Sequence, residues 1–305
     1  MPSSIPASAS RREARPAGPE APGPIAGAYS RSWRDFRRNP LAKFGAATIV
    51  VLLCVAVFAP WLAPRDPEAI DYFRGLAPPG RTAWLGTDPL GRDTLSRLIF
   101  ATRVSLVVGL GVASLSVLIG AALGAVAGWS GGWVDSVISR LMDVLWSIPM
   151  LPLVMVIGAF IKITPPLLVL LLGGISWVGV ARLVRAQALS LREQEFIAAA
   201  RSIGLPGSRI VIRHILPNTT APMVVAGTLS VASAILVESA LSFLGFGVDP
   251  STPTWGNMLQ NAQNYLVRAP WLSIFPGAMI ALTVASFNFV GDGLREAFDP
   301  RLKGR

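Results

Sequence analysis

Apolar residues fall along this chain in long runs rather than in the narrow stripes of a soluble helix. A helix needs ~20 predominantly apolar residues to cross the hydrocarbon core of a bilayer. Runs of that kind cover residues 45–63, 104–128, 142–161, 166–182, 221–244 and 271–290. Backbone polar groups in lipid must be satisfied within the segment, so these runs are helices and not open strands. The pattern predicts an all-α integral membrane protein of about six transmembrane helices. Pro149 and Pro152 predict a kink in the third run. Only Lys162-Ile163-Thr164-Pro165 separates that run from the short fourth.

The polar stretches between the runs set the remaining organisation. Residues 1–29 are rich in Pro, Ala, Ser and Gly and predict a disordered tail, with a membrane domain over 30–305. No apolar segment follows the early arginines within 30 residues, which argues against a secretory signal peptide. With the N-terminus inside, 19 of the 27 Lys and Arg fall on the inner side. That bias predicts both termini and the loop 183–217 in the cytoplasm. The first external loop carries six of the remaining arginines, balanced by Asp66, Glu68, Asp71, Asp88 and Asp93.

Composition narrows the function. Hydrophobic residues make up 52% and charged residues 14% of the chain, against about 25% charged in soluble domains. The net charge of +10 is gathered in loops, so the lipid bilayer and not nucleic acid is the expected partner. Cys54 is the only cysteine and His214 the only histidine, which excludes an internal disulfide and a cysteine zinc site. None of the three lysines follows a glycine, so there is no phosphate-binding loop, and ATP and Mg, if used, belong to another chain. No catalytic residue, cofactor site or metal site is expected here. Gly128-Trp129-Ser130-Gly131-Gly132 matches a nucleophile-elbow pattern, but with no preceding strand it reads as a turn. Gly120, Gly124 and Gly128 recur every fourth residue and predict close helix packing within the bundle. Glu238 is an intramembrane polar site in the fifth run. Its position near the outer end predicts a structural role, hydrogen-bonded or snorkelling outward.

The stretch 193–218, EQEFIAAARSIGLPGSRIVIRHILPN, is polar enough to leave the membrane yet holds two short helical patterns. Phe196, Ala199, Ala200 and Ile203 share one face of the first. Gly204 stops it, Leu205-Pro206-Gly207 turns the chain, and Ser208 caps a second helix through Ile215, ended by Pro217. Small Ala199, Ala200 and Gly204 allow close approach of another surface. Arg201, Arg209 and Arg213 suit an acidic partner. An amphipathic helix lying on the lipid surface fits the same residues, and physics alone leaves both readings open.

This loop resembles the cytoplasmic motif of binding-protein-dependent ABC importer permeases. Ala199, Ala200, Gly204, Leu216 and Pro217 fit its spacing. Ala198 stands where the motif has Glu, and His214 where it has Ile; Glu195 lies one turn earlier. Other segments are similar to the second permease of the dipeptide, oligopeptide and nickel branch. These are Arg37-Arg38-Asn39-Pro40-Leu41-Ala42, Phe58-Ala59-Pro60, Leu62-Ala63-Pro64, residues 86–93, Leu95-Ser96-Arg97, Ser242-Phe243-Leu244-Gly245 and Asp299-Pro300-Arg301-Leu302. The resemblance implies a type I ABC importer permease in the bacterial inner membrane. Its implied partners are a second homologous permease, two ATPase subunits and an extracytoplasmic substrate-binding protein. It implies ATPase coupling through Glu195, Phe196, Ala199, Ala200, Arg201, Gly204, Leu216 and Pro217. A secondary transporter driven by an ion gradient is the rival reading, with Glu238 as its candidate acid.

Overall fold

Asn39 starts the first long helix among the described residues. Its side chain accepts from the backbone N–H groups of Leu41 and Ala42, and Pro40 supplies a first-turn residue that needs no donor. The computed structural model describes residues 36–298. The tail expected over 1–29 and the Asp299-Pro300-Arg301-Leu302 signature lie outside that range. Among the described residues the chain is helical, with one isolated bridge between Thr87 and Asp93.

Helix α1 (Pro40–Val57) breaks at Phe58 into the single turn α2 (Ala59–Leu62). After a connection with little regular structure, α3 (Thr94–Ser130) runs for 37 residues from an Asp93 cap. At ~1.5 Å per residue that is roughly 55 Å, well beyond the hydrocarbon core. Next come α4 (Gly132–Ser147) and α5 (Met150–Phe160), then α6 (Pro165–Arg192) and the short α7 (Glu195–Ser202). Helix α8 (Gly207–Ile210) passes through a π turn (Val211–Ile215) into α9 (Leu216–Phe243). Two more follow, α10 (Trp255–Ala262) and α11 (Trp271–Phe298).

Five of these segments are long and apolar enough to cross a bilayer, and the α4–α5 pair brings the number to six if it counts as one span. The chain is therefore a multi-pass membrane protein. Several expected boundaries need correction. The third run does not start at 142: it starts at Gly132 and is bent by 73° at Ile148-Pro149. Pro149 has no N–H to donate and disfavours helix at the residue before it. The fourth span does not stop at Arg182. It continues to Arg192, because Val184 and Ala188 stay fully buried and extend its packed face. Residues 183–192 are thus helix, and the loop proper starts at Glu193. Pro217 does not end the second loop helix. The π turn takes up an extra residue and makes Pro217 a first-turn residue of α9, where its missing N–H costs little.

Helices α3 and α6 form the central pair. A Cβ on Gly120 would lie 2.8 Å from the Trp177 carbonyl oxygen, and one on Gly124 would lie 2.5 Å from that of Ala181. One on Gly128 would meet Ala188 at 2.6 Å. The four-residue glycine spacing is an internal packing seam, as expected. A second core joins α3 to α1, α9, α10 and α11 through Leu52, Leu106, Ile235, Trp255 and Phe287.

The end of the bundle away from the loop is tied by polar contacts. Lys162 pairs with Asp249 at 2.5 Å across the α5–α6 and α9–α10 links. Lys162 and the Ser251 hydroxyl and N–H hold the Asp249 carboxyl far below the usual carboxylate range. A depressed carboxylate stabilises the fold above its unfolded pKa and loses that effect only as pH falls through the folded value. This latch therefore persists at all physiological pH values.

Candidate functional site

The first loop helix is short and its ending is built into the sequence. Gly204 takes φ +78°. Its N–H reaches the Arg201 carbonyl at 2.9 Å, and the Leu205 N–H reaches back to Ala200 at 3.2 Å. This pair of bonds is the Schellman arrangement, which favours glycine at the left-handed position. Leu205 packs with Ala200, adding the apolar contact that accompanies such an ending.

The helix faces two ways. Ile197, Ala200 and Ile210 are buried against Trp129 and Leu205. Phe196 is 45%, Ile203 78% and Ile212 67% exposed, and Ala199 and Gly204 lie on the same open side. Ala200 therefore faces inward, where it anchors the loop, and is not part of the open face. Beside that face Pro206, Ser208, Arg209, Ile212, Arg213 and Pro217 line a concavity of about 560 Å³. Glu195 is exposed at the helix start, and Leu216 packs at the edge of a cluster with Val184. His214 contacts the Phe196 ring, with centroids 6.4 Å apart.

Trp129 was visible in the sequence only as part of a turn, yet it is the mount of the loop. The Arg201 guanidinium lies 4.5 Å from the centre of its ring. Arg192 Nη1 donates to its carbonyl oxygen at 3.2 Å. A Cβ on Gly207 would come within 2.6 Å of its Nε1, so Gly207 permits the close approach. Arg201 thus stacks on its own chain. The end of α3 is thereby fastened to both sides of the loop, and Asp135 pairs with Arg185 nearby at 2.5 Å. The Gly131 and Gly132 φ values of +64° and +53° show an ordinary interhelical turn, with Ser130 ending a helix rather than topping a strand.

Glu238 does not snorkel outward. It is fully buried, and the Ser242 and Ser239 hydroxyls donate to its carboxyl at 2.9 and 3.3 Å. Thr254, which caps α10 by accepting from the Asn257 N–H, adds a further side-chain hydrogen bond to Glu238. Glu238 thus ties α10 onto α9 through these hydrogen bonds. Glu238→Leu strands three hydroxyls, each costing ~1–3 kcal/mol. It is expected to lower the thermal unfolding midpoint of the detergent-purified chain, while Glu238→Gln stays close to the parent.

Two family models match the chain. Residues 120–304 match the binding-protein-dependent transport system inner membrane component. Residues 28–79 match the N-terminal transmembrane domain of oligopeptide transport permease C. Among curated proteins, the chain is 38% identical to a dipeptide transport system permease protein of Alkalihalophilus pseudofirmus, covering 90% of each. It is 36% identical to an oligopeptide transport system permease protein of Bacillus subtilis, covering 89% of this chain and 90% of the relative. It is 40% identical to a glutathione transport system permease protein of Escherichia coli over the same shares.

Proposed function

Since the chain belongs to the binding-protein-dependent transport system inner membrane components, we propose that it serves an importer of peptides or related amide-bearing solutes. It is an ABC transporter permease subunit, not an enzyme. In this reading it pairs with a second permease of the same family and receives solute from an extracytoplasmic binding protein. Two ATPase subunits, which carry the ATP and Mg, dock on the 193–217 loop in the cytoplasm. The relatives' peptide-type solutes support the solute class. The observation that carries the coupling role is the outward apolar face of α7, held rigid from behind by Trp129. Phe196 and Ile203 would each gain roughly 1.5–3 kcal/mol on full burial in a partner groove.

Deleting the chain from its bacterial host is expected to abolish uptake of one labelled solute among a dipeptide, a longer peptide and glutathione. Unchanged uptake of all three would reject the solute class. Orientation is tested separately in a Cys54→Ala background, which removes the only cysteine. An impermeant thiol reagent added outside whole cells is expected to label Thr252→Cys and to spare Ser208→Cys. The opposite pattern would invert the topology.

A further inference from the structure

We infer that a single ordered water is part of this fold, held by the Arg97 guanidinium and the Thr94 hydroxyl between the loop 86–93, α3 and α10. Helix α3 reaches the 193–217 loop at Trp129, so its first turn lies at the far end of the bundle. Thr94 is the first residue of α3 and Arg97 follows one turn later, which puts both on one side of the helix. Both border a small cavity, together with Asp88 from the loop and Met258 and Asn261 from α10.

The polar groups around the cavity decide what it holds. Arg97 is only 2% exposed and Thr94 1%. Arg97 Nη1 donates to the Pro67 carbonyl oxygen at 3.2 Å, and Nε stands 3.9 Å from Asp88 Oδ2. Among the described residues Arg97 Nη2 and Thr94 Oγ1 meet no hydrogen-bond partner. Buried polar groups are almost always paired, and a charged donor left dry is among the costliest exceptions. The cavity offers about 10 Å³ of water-sized space, close to what one molecule needs. Cavities that stay truly empty are apolar, whereas this one borders a guanidinium, a carboxylate, a hydroxyl and an amide. A chloride would suit Arg97 but would face the Asp88 carboxylate, and it is larger than water. A cation would face Arg97. Water both accepts and donates, so it can serve Arg97 Nη2 and the oxygens together. Asp88 already fixes the loop by accepting from the Leu90 and Arg92 N–H groups at 2.9 Å and from Arg92 Nε at 2.6 Å. The water extends that fixed point from the loop to α3 and α10.

The test is X-ray hydroxyl-radical footprinting of the assembled transporter, read by mass spectrometry. Radicals formed from a bound water strike the side chain beside it, even where bulk solvent does not reach. Met258 borders the cavity, and Met142 is equally buried in a separate apolar cluster. Met258 is expected to be oxidised several-fold faster than Met142. Thr94→Ile, which fills the space and removes the hydroxyl, is expected to bring Met258 down to the Met142 rate. Cryo-electron microscopy of the unmodified transporter is expected to show one density peak at hydrogen-bond distance from both Arg97 Nη2 and Thr94 Oγ1, unchanged when gluconate replaces chloride in the buffer. Equal oxidation of the two methionines in the parent would overturn the inference. So would fast Met258 oxidation that survives Thr94→Ile, because the radicals would then come from another source. Loss of the density in gluconate would assign the site to an anion and overturn it as well.

Discussion

Gly204→Asp is expected to cut solute uptake at least about tenfold while leaving the chain inserted in the membrane. Two effects add. At φ +78° a β-carbon is unfavourable, by roughly 1–2 kcal/mol, which weakens the ending of α7. A β-carbon there would meet nothing within 4 Å, so the effect is conformational and not a clash. The new carboxylate also stands beside exposed Ile203, on the face proposed to enter the ATPase groove. Leaving a charge unpaired at such a contact costs roughly 3–5 kcal/mol, where ~1.4 kcal/mol is already tenfold. Gly204→Asn separates the causes, since Asn tolerates the left-handed conformation and carries no charge. It should retain most uptake. ATPase co-purification and uptake in membranes are the readouts. Normal values of both for Gly204→Asp would remove the loop from the coupling role.

Trp129→Ala should give a different failure. The open face of α7 stays intact, so the ATPases should still co-purify. The mount behind it is lost: the ring under Arg201 and the packing against Ile197, Ala200 and Ile210. Truncating a buried Trp costs ~3–5 kcal/mol, and Trp129 is half-buried, so the lower part of that range applies. Solute uptake and binding-protein-stimulated ATP hydrolysis are expected to fall about tenfold, with basal ATP hydrolysis preserved. Trp129→Phe keeps a ring for Arg201 and is expected to restore most of the loss. Full uptake by Trp129→Ala would show that α3 takes no part in passing motion from the loop.

Much of this arrangement was legible in the residue pattern. Long apolar runs mark membrane spans because few other environments accept them, and the glycine after Ile203 marks a helix end because few other residues adopt its backbone. The glycine ladder on α3 was equally readable, since four-residue spacing has one face. What the pattern could not carry was rotation. Ala199 and Ala200 are neighbours in sequence, and only the presence of Trp129 decides that Ala200 turns in and Ala199 out. Trp129 lies far from the loop in sequence and looked like a turn residue. For Glu238 the hydrogen-bonded and snorkelling alternatives stayed open for a related reason: distance along a helix locates a residue in depth, but not what covers it. There the cover is α10, a short helix between spans that carries no long apolar run. The lengths of α6 and α9 also escaped, because their ends are polar helix packed on protein rather than on lipid.

The π turn at Val211–Ile215 is, in effect, an α-helix with one residue too many. Each α-helical residue advances the chain by about 100° around the axis. The extra residue therefore sets the phase between the loop and α9. Removing a single residue there would let the ladder close into regular helix. The rest of α9 would keep its seat in the bundle, while everything before the turn would swing about a quarter of a revolution. The direction in which this protein presents its loop is thus held by a count of residues as well as by the Trp129 mount.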